Sequence, residues 1–172
     1  MPEYLFVYGT LRQHALRRAA GNFCYQLLQQ HASLVGQGHL QAKLHLVDYY
    51  PGAVPGDDPA WQVMGEVYQL PQATNLLAEL DAYEQCGPGF ASPSEYLRLQ
   101  QQITLHNGDI VTAWVYVYNH STESLQQILS GDFLQERAAI LEGIARGEQA
   151  LGAGNVISHK DAKAKMAKWL KK

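Results

Sequence analysis

The feature that most constrains the fold lies in the second half of the chain, where two alternating apolar segments flank an Asn-Gly pair. Tyr96 to Leu105 and Ile110 to Tyr118 show the two-residue period of strands, and Asn107-Gly108 between them is a strong hairpin signal. The pair predicts a type I′ turn, in which both central residues have positive φ. Aromatic residues alternate with valines in the second strand, so the aromatic rings should share one face. This region therefore predicts antiparallel sheet.

Other segments predict further strands and helices. Apolar runs predict strands over Tyr4–Tyr8, Leu34–Leu40, Lys43–Val47 and Val63–Leu70. Helical periodicity predicts helices over Leu16–Gln30, Gln72–Glu84, Glu123–Leu129 and Asp132–Arg146, with Gly147 as the stop of the last. Tyr50 to Pro59 is rich in Pro, Gly and Asp and is predicted to be an irregular loop. Strands in antiparallel connection with interspersed helices indicate the α+β class.

The end of the first predicted strand is the first candidate site. Tyr8, Gly9, Thr10 and Leu11 follow the apolar run directly. Glycine lets the backbone turn or approach a ligand closely, and consecutive backbone N–H groups suit an anionic or carbonyl oxygen. An ordinary turn has the same pattern, so the segment alone does not decide between the two.

Glu84, at the end of a predicted helix, is the candidate for proton transfer. At about 100° per residue, Leu76, Leu80 and their apolar neighbours form one stripe, and Glu84 projects close to it. Glu79 and Asp81 point away from that stripe. Partial burial disfavours the charged form of a carboxylate and raises its pKa toward neutrality, which suits a general acid and base. The alternative is a peripheral glutamate with its carboxylate in water.

Four segments in order resemble the γ-glutamylcyclotransferase-like family, particularly its small γ-glutamylamine-cyclotransferase branch. They are Tyr8-Gly9-Thr10-Leu11-Arg12, Tyr50-Pro51-Gly52-Ala53-Val54, Gly65-Glu66-Val67-Tyr68 and Leu80-Asp81-Ala82-Tyr83-Glu84. The resemblance runs from Tyr4 to about Phe133. It implies a small mixed β-barrel-like sheet flanked by helices, to which this chain adds a helical C-terminal extension.

The resemblance also implies an activity and a set of site residues. Glu84 occupies the position of the family's catalytic glutamate, as general base and acid. Tyr8, Gly9, Thr10, Leu11 and Tyr118 would bind a small-molecule γ-glutamyl substrate. The enzyme, classed as a transferase or a lyase, would cyclise the γ-glutamyl group to 5-oxoproline and release an amine, without metal or cofactor. Two alternatives stay open: a non-catalytic member that binds a metabolite or partner, and hydrolysis of a related amide.

Two positions near these segments add qualifications. Arg12 could meet a substrate carboxylate or could equally be a solvated surface arginine. Family members place a Tyr-x-Arg soon after the catalytic glutamate, whereas Tyr96-Leu97-Arg98 follows Glu84 here after a longer loop. We therefore expect this loop to reshape the pocket for the leaving group.

Length and charge predict one domain and a tail. The 172 residues suit a single domain over residues 1–150. Gly152-Ala153-Gly154 predicts a flexible joint, so residues 151–172 form a joint and a basic helical tail. Six of the seven lysines lie in the last thirteen residues, which leaves the remaining body strongly negative and disfavours nucleic-acid binding.

Composition excludes several other classes. The two cysteines form no C-x-x-C pair, and no leader or membrane-length apolar run is present, so a cytoplasmic protein is expected. The seven histidines show no metal-binding spacing, and no metal site is predicted. Cys86 lies close to Glu84 but belongs to no recognisable nucleophile signature. The oligomeric state is not specified by the sequence.

Overall fold

The computed structural model of this chain describes residues 2–15, 19–71 and 75–152. Residues 16–18 and 72–74, where the sequence predicts the first turns of two helices, lie outside the described residues. In chain order the elements are β1 (Glu3–Val7), α1 (Ala19–His31), β2 (Ser33–Leu40), β3 (Ala42–Leu46), β4 (Pro51–Pro55), β5 (Val63–Leu70), α2 (Leu76–Tyr83), β6 (Tyr96–Leu105), β7 (Ile110–Tyr118), β8 (Gln126–Gln127) and α3 (Phe133–Gly152).

Five strands form a closed barrel in the order β1, β5, β2, β6 and β7. Most neighbours are antiparallel, but β1 runs parallel to β7, with Leu5 opposite Trp114. This contact between the first and last barrel strands closes the sheet, and closure removes the exposed edges of an open sheet. A separate sheet has the order β4, β3, β8. The expected α+β class with a mixed, barrel-like sheet is confirmed.

Alternate residues of the barrel strands divide the apolar interior into two clusters. Phe6 of β1 and Val115 of β7 belong to the first, which fills the barrel. Tyr116 points to the other face and packs in the second cluster with Leu28 of α1 and Leu80 of α2. The aromatic residues of β7 share that second cluster, as the alternation predicts. Helices α1 and α2 therefore cover one outer face of the barrel.

Three predicted segments differ from the structure. The predicted irregular loop contains β4, which pairs with β3 along its whole length and has prolines at its two ends, where strands tolerate them best. Residues 123–129 form a turn and the short strand β8 instead of a helix, because the Ile128 N–H donates to the Leu44 carbonyl of β3 (2.8 Å). Helix α3 continues past Gly147 to Gly152; an internal glycine costs a helix only about 1 kcal/mol.

The hairpin between β6 and β7 has the predicted strands but a different turn. Gly108 has a positive φ of 91°, whereas Asn107 does not. The Gly108 N–H donates to the Leu105 carbonyl (2.9 Å), and the Leu105 N–H donates to the Asp109 carbonyl (2.8 Å). These bonds fit a type I turn followed by a left-handed glycine, the three-residue hairpin loop, so the type I′ prediction is wrong.

The chain divides into two units, residues 1–136 and 137–172. The described part of the second unit, residues 137–152, is the continuation of α3. Beyond Gly152 the predicted joint and basic tail lie outside the described residues, so a division near residue 150 stays a prediction. Within the described ranges, no helix has both the length and the apolar character needed to cross a membrane.

Candidate active site

The segment after β1 makes a tight turn that lies against β4. The Arg12 N–H donates to the Gly9 carbonyl (3.1 Å), which closes the turn. A Cβ added to Gly9 would lie 3.0 Å from the Pro51 ring, closer than most real contacts. Gly9 therefore allows the loop to approach β4 where a larger residue would push the proline ring away.

Tyr8, at the start of this loop, connects it to β4 and β7 through its hydroxyl. Its buried hydroxyl donates to the Tyr116 carbonyl (2.7 Å) and accepts from the Ala53 N–H (3.1 Å). Burial raises the pKa of Tyr8, and its hydroxyl therefore stays protonated at neutral pH. One phenol thus ties β4 to β7, which makes Tyr8 a structural residue as well as part of the candidate site.

Arg12 meets neither of the two expectations for it. It is only 5% exposed, and its Nη1 lies 2.8 Å from Asp132 Oδ1, with Nε 3.8 Å from Glu66 Oε1. Glu66 Oε2 also accepts from the Gln13 N–H (2.9 Å) and the Tyr68 hydroxyl (3.0 Å). Arg12 is therefore a buried partner of two acids, since the turn directs it away from the cavity described next.

Asp132 has a second role at the start of α3. Its Oδ1 accepts from the Leu134 N–H (3.0 Å), as the side chain of an N-cap residue does. We name Arg12, Glu66 and Asp132 the charge cluster; it connects the end of the first loop to β5 and to the first turn of α3.

Helix α2 ends at Glu84 in a Schellman motif. The Cys86 N–H donates to the Asp81 carbonyl (2.8 Å), and the Gln85 N–H donates to the Ala82 carbonyl (3.3 Å). Gln85 adopts the left-handed conformation with φ of 51°, which usually favours glycine. The helix therefore stops abruptly, and Glu84 is its C-terminal cap residue.

Glu84 and the first loop line one cavity of about 200 Å³. Of the predicted site residues, the structure brings together Tyr8, Gly9, Thr10, Leu11 and Glu84 in its wall. The other described lining residues are Phe6, Val7, Tyr49, Tyr50, Pro51, Tyr83, Gln85, Glu95, Tyr96 and Tyr116.

Tyr118 does not line this cavity, contrary to the expectation for it. Tyr118 is the register partner of Tyr96 on the neighbouring strand, and the two rings pack edge to face with centroids 5.7 Å apart. On its other side the ring covers Gly52, where an added Cβ would lie 2.7 Å away. Tyr96 is the member of this pair that reaches the cavity.

The electrostatics of Glu84 suit proton transfer near neutral pH. Burial, and secondly the negative charge of Glu95, raise its pKa to about 8. No lysine, arginine or histidine occurs among the described residues that line the cavity. The cavity is therefore acidic, with six tyrosines in its wall and an acid whose proton can be gained or lost at physiological pH.

Glu95 is the second acid of the cavity, and sequence reasoning missed it. Each of its two carboxylate oxygens lies 3.1 Å from the Tyr50 hydroxyl, which donates to them. Tyr50 and Glu95 are 45 residues apart, so no local pattern indicated the contact. The sequence feature that could have indicated Glu95 is its position: it is the last residue of the long loop before Tyr96-Leu97-Arg98.

The structure thus combines a five-stranded barrel with an acidic cavity, which lies between the first loop and the end of helix α2. The chain belongs to the γ-glutamylcyclotransferase family: residues 5–135 match the family described as "Gamma-glutamyl cyclotransferase, AIG2-like".

Relatives in bacteria agree with this assignment. The chain is 38% identical over 131 residues to the gamma-glutamylcyclotransferase family protein YtfP of Escherichia coli K12, covering 76% of this chain and 95% of that protein. The YtfP protein of Citrobacter rodentium is also 38% identical over 131 residues, with 76% and 94% covered.

Two crystal structures share the fold. An aig2-like protein from Mus musculus has a TM-score of 0.55 at 24% identity, covering 72% of this chain and 81% of that one. YkqA from Bacillus subtilis has a TM-score of 0.60 at 24% identity, covering 83% of this chain and 43% of that one. At this identity the likeness concerns the fold alone.

Proposed function

We propose that this chain cyclises the γ-glutamyl group of a γ-glutamylamine or γ-glutamyl-amino acid to 5-oxoproline and releases the free amine. The observation that carries the proposal is that Glu84, with its pKa raised to about 8, lines the same cavity as the Gly9–Leu11 segment. Membership of the γ-glutamylcyclotransferase family supports this reaction class.

The substrate brings its own nucleophile. Its α-amine nitrogen bonds to the γ-carbonyl carbon, the bond from that carbon to the leaving nitrogen breaks, and two protons pass from the attacking nitrogen to the departing one. The enzyme has to fold the substrate so that these atoms meet and then carry the protons. A well-oriented internal nucleophile reacts with a barrier about 7–11 kcal/mol lower than a nucleophile on a separate molecule.

In this proposal Glu84 carries the protons. A general acid and base works best when its pKa lies near the operating pH, and such a group contributes about 10²–10⁴-fold. The ionised form takes a proton from the substrate ammonium, and the protonated form gives one to the leaving amine. Burial by the cavity wall keeps the two forms of Glu84 close in free energy.

The first loop would hold the glutamyl end of the substrate. In this proposal the backbone N–H groups of Gly9, Thr10 and Leu11, three residues that line the cavity, bind the α-carboxylate or the oxygen that develops negative charge. The hydroxyl of Tyr8 is already engaged, so Tyr8 contributes its ring to the wall.

We expect the reaction to take place in the cytoplasm. Both cysteines, Cys24 and Cys86, are free thiols, and burial raises the pKa of Cys24 to about 11, so that it stays protonated. Free thiols without disulfides are typical of proteins from reducing compartments.

The test is incubation with glutathione, γ-glutamyl-alanine and ε-(γ-glutamyl)-lysine, with 5-oxoproline measured by mass spectrometry. Formation of 5-oxoproline with release of the amine is the expected result. Free glutamate instead would identify a hydrolase. Thermal stabilisation by 5-oxoproline without turnover of any compound would identify a binding protein on the same scaffold.

A further inference from the structure

The proposed substrate carries a positive charge that needs a partner in the cavity. Its α-amine is an ammonium group at neutral pH, and a buried ammonium is costly unless it is paired. Glu84 and Glu95 are the two acids among the described lining residues. Glu84 has the task of exchanging protons in the proposed function, on which this inference rests.

Glu95 has the properties of a fixed binding group. Both of its carboxylate oxygens accept from the Tyr50 hydroxyl at 3.1 Å, and its main-chain carbonyl accepts from the Asn119 N–H at 2.8 Å. Burial and the Glu95 charge raise the pKa of Tyr50, so the phenol remains a donor. Because hydrogen bonds hold both its side chain and its main chain, the Glu95 carboxylate is preorganised. Preorganisation reduces the entropy that is lost when a ligand binds.

We propose that Glu95, held by Tyr50, binds the α-ammonium group of the γ-glutamyl substrate and orients its nitrogen toward the γ-carbonyl. An ammonium has three N–H donors. One of them bonds to Glu95. The other two N–H groups remain available to Glu84, and they carry the two protons that must be transferred. Glu95 is thus the binding partner of the amine, and Glu84 is the group that changes its protonation.

Ammonium binding has a second consequence for Glu84. In the free protein the Glu95 charge opposes ionisation of Glu84 and contributes to its raised pKa. A bound cation between the two carboxylates offsets that repulsion and favours the ionised form of Glu84. The substrate therefore helps to generate the base that activates it.

The first experiment is steady-state kinetics of Glu95→Gln, a nearly isosteric change that removes the charge. We expect KM to rise about tenfold or more, because the charged hydrogen bond from the ammonium group to Glu95 is lost. Inhibition by 5-oxoproline should be unchanged, since the lactam nitrogen carries no charge. Tyr50→Phe should act in the same direction with a smaller effect. Glu79→Gln, on the exposed side of α2, is the matched control and should behave as wild type.

Three kinetic outcomes would overturn the proposal. The first is a KM within twofold of wild type. The second is a lower kcat with unchanged KM, which would place Glu95 in the chemical step. The third is an equal loss of affinity for substrate and 5-oxoproline, which would mean that Glu95 only shapes the cavity.

The second experiment separates this inference from the proposed function. Binding of γ-glutamyl-alanine and of its N-acetyl derivative, which has no ammonium, is measured by calorimetry in Glu84→Gln and in Glu84→Gln/Glu95→Gln. We expect the second change to weaken binding of the free amine about tenfold and to leave the N-acetyl compound unaffected. This comparison decides the role of Glu95 even if wild type turns over none of the compounds. Equal effects on both ligands, or binding of neither, would refute it.

Discussion

Two groups of charged side chains next to the first loop differ in how their charges are compensated. In the charge cluster, Arg12 contacts the two acids Glu66 and Asp132, and Glu66 accepts two further hydrogen bonds. In the cavity, the negative charge of Glu95 opposes ionisation of Glu84, and no cationic side chain occurs among the described lining residues. Buried charges are stable when paired and hydrogen-bonded, so the cluster suits a structural role. The two acids of the cavity, which have no cationic side chain beside them among the described lining residues, suit a ligand that carries a positive charge.

The largest effect is expected in turnover, when Glu84 of the cavity is changed. Glu84→Gln keeps the size of the side chain and removes the exchangeable proton. We expect turnover to fall by about 10²–10⁴-fold while the fold is retained. The measurement is 5-oxoproline formation, with circular dichroism as the check on folding and Glu79→Gln as the matched control. Retained turnover would move the proton chemistry to another group.

The next largest effect is expected in stability, and it concerns the charge cluster instead of the cavity. Arg12→Met leaves the buried Glu66 and the part-exposed Asp132 without their cation, and breaking a buried pair in this way costs about 3–5 kcal/mol. Urea denaturation measures the loss. Arg98→Met is the control, because its pair with Asp81 (3.1 Å) is about a quarter exposed and should contribute only about 1 kcal/mol. Equal losses would show that burial of the cluster has no special importance.

Glu84→Gln should also stabilise the protein at high pH, in contrast to Arg12→Met. The pKa of Glu84 is about 8 in the folded chain and that of an unfolded glutamate is about 4.3. The folded state therefore binds more protons between these values, and wild-type stability falls as the pH rises through that window.

The variant lacks this loss, so its advantage should grow up to about pH 8 and then stay constant; between pH 5 and pH 9 the gain is about 4 kcal/mol, since one pKa unit corresponds to about 1.4 kcal/mol. Thermal unfolding from pH 5 to pH 9 measures it. A stability difference that does not change with pH would mean that Glu84 is not protonated in the folded state at neutral pH.

The smallest effect is expected for Asp132→Asn. Asparagine caps helices as well as aspartate does, so this change removes the charge facing Arg12 and keeps the start of α3. We expect a loss of about 1 kcal/mol in urea denaturation. Asp58→Asn, an exposed residue that bonds the Ala60 N–H, is the control and should show almost no change. If both variants lose the same amount, the contact with Arg12 has no net stabilising effect.

The sequence predicted those parts of the fold that depend on short-range pattern. The alternation in β6 and β7 located both strands and the aromatic face, because a strand buries every second residue. Strand β4 was missed, since its prolines and glycine are typical of loops and its pairing comes from β3. The short strand β8 was missed for the same reason.

The site shows the same limit. The pattern placed Glu84 near the apolar stripe of α2, and the family resemblance related it to the first loop, from which it is separated by more than 70 residues. Glu95, its contact with Tyr50 and the burial of Arg12 depend on contacts across the fold. Tyr118 lies on the predicted face, but periodicity gives no information on which ring of that face reaches a cavity.

The long loop between the two acids begins and ends at the cavity wall, with Gln85 at one end and Glu95 at the other. Its intervening residues 87–93 are exposed, and each end is held by a different element: the last turn of α2 and the start of β6. Insertions or deletions between them can therefore accumulate without displacing either carboxylate.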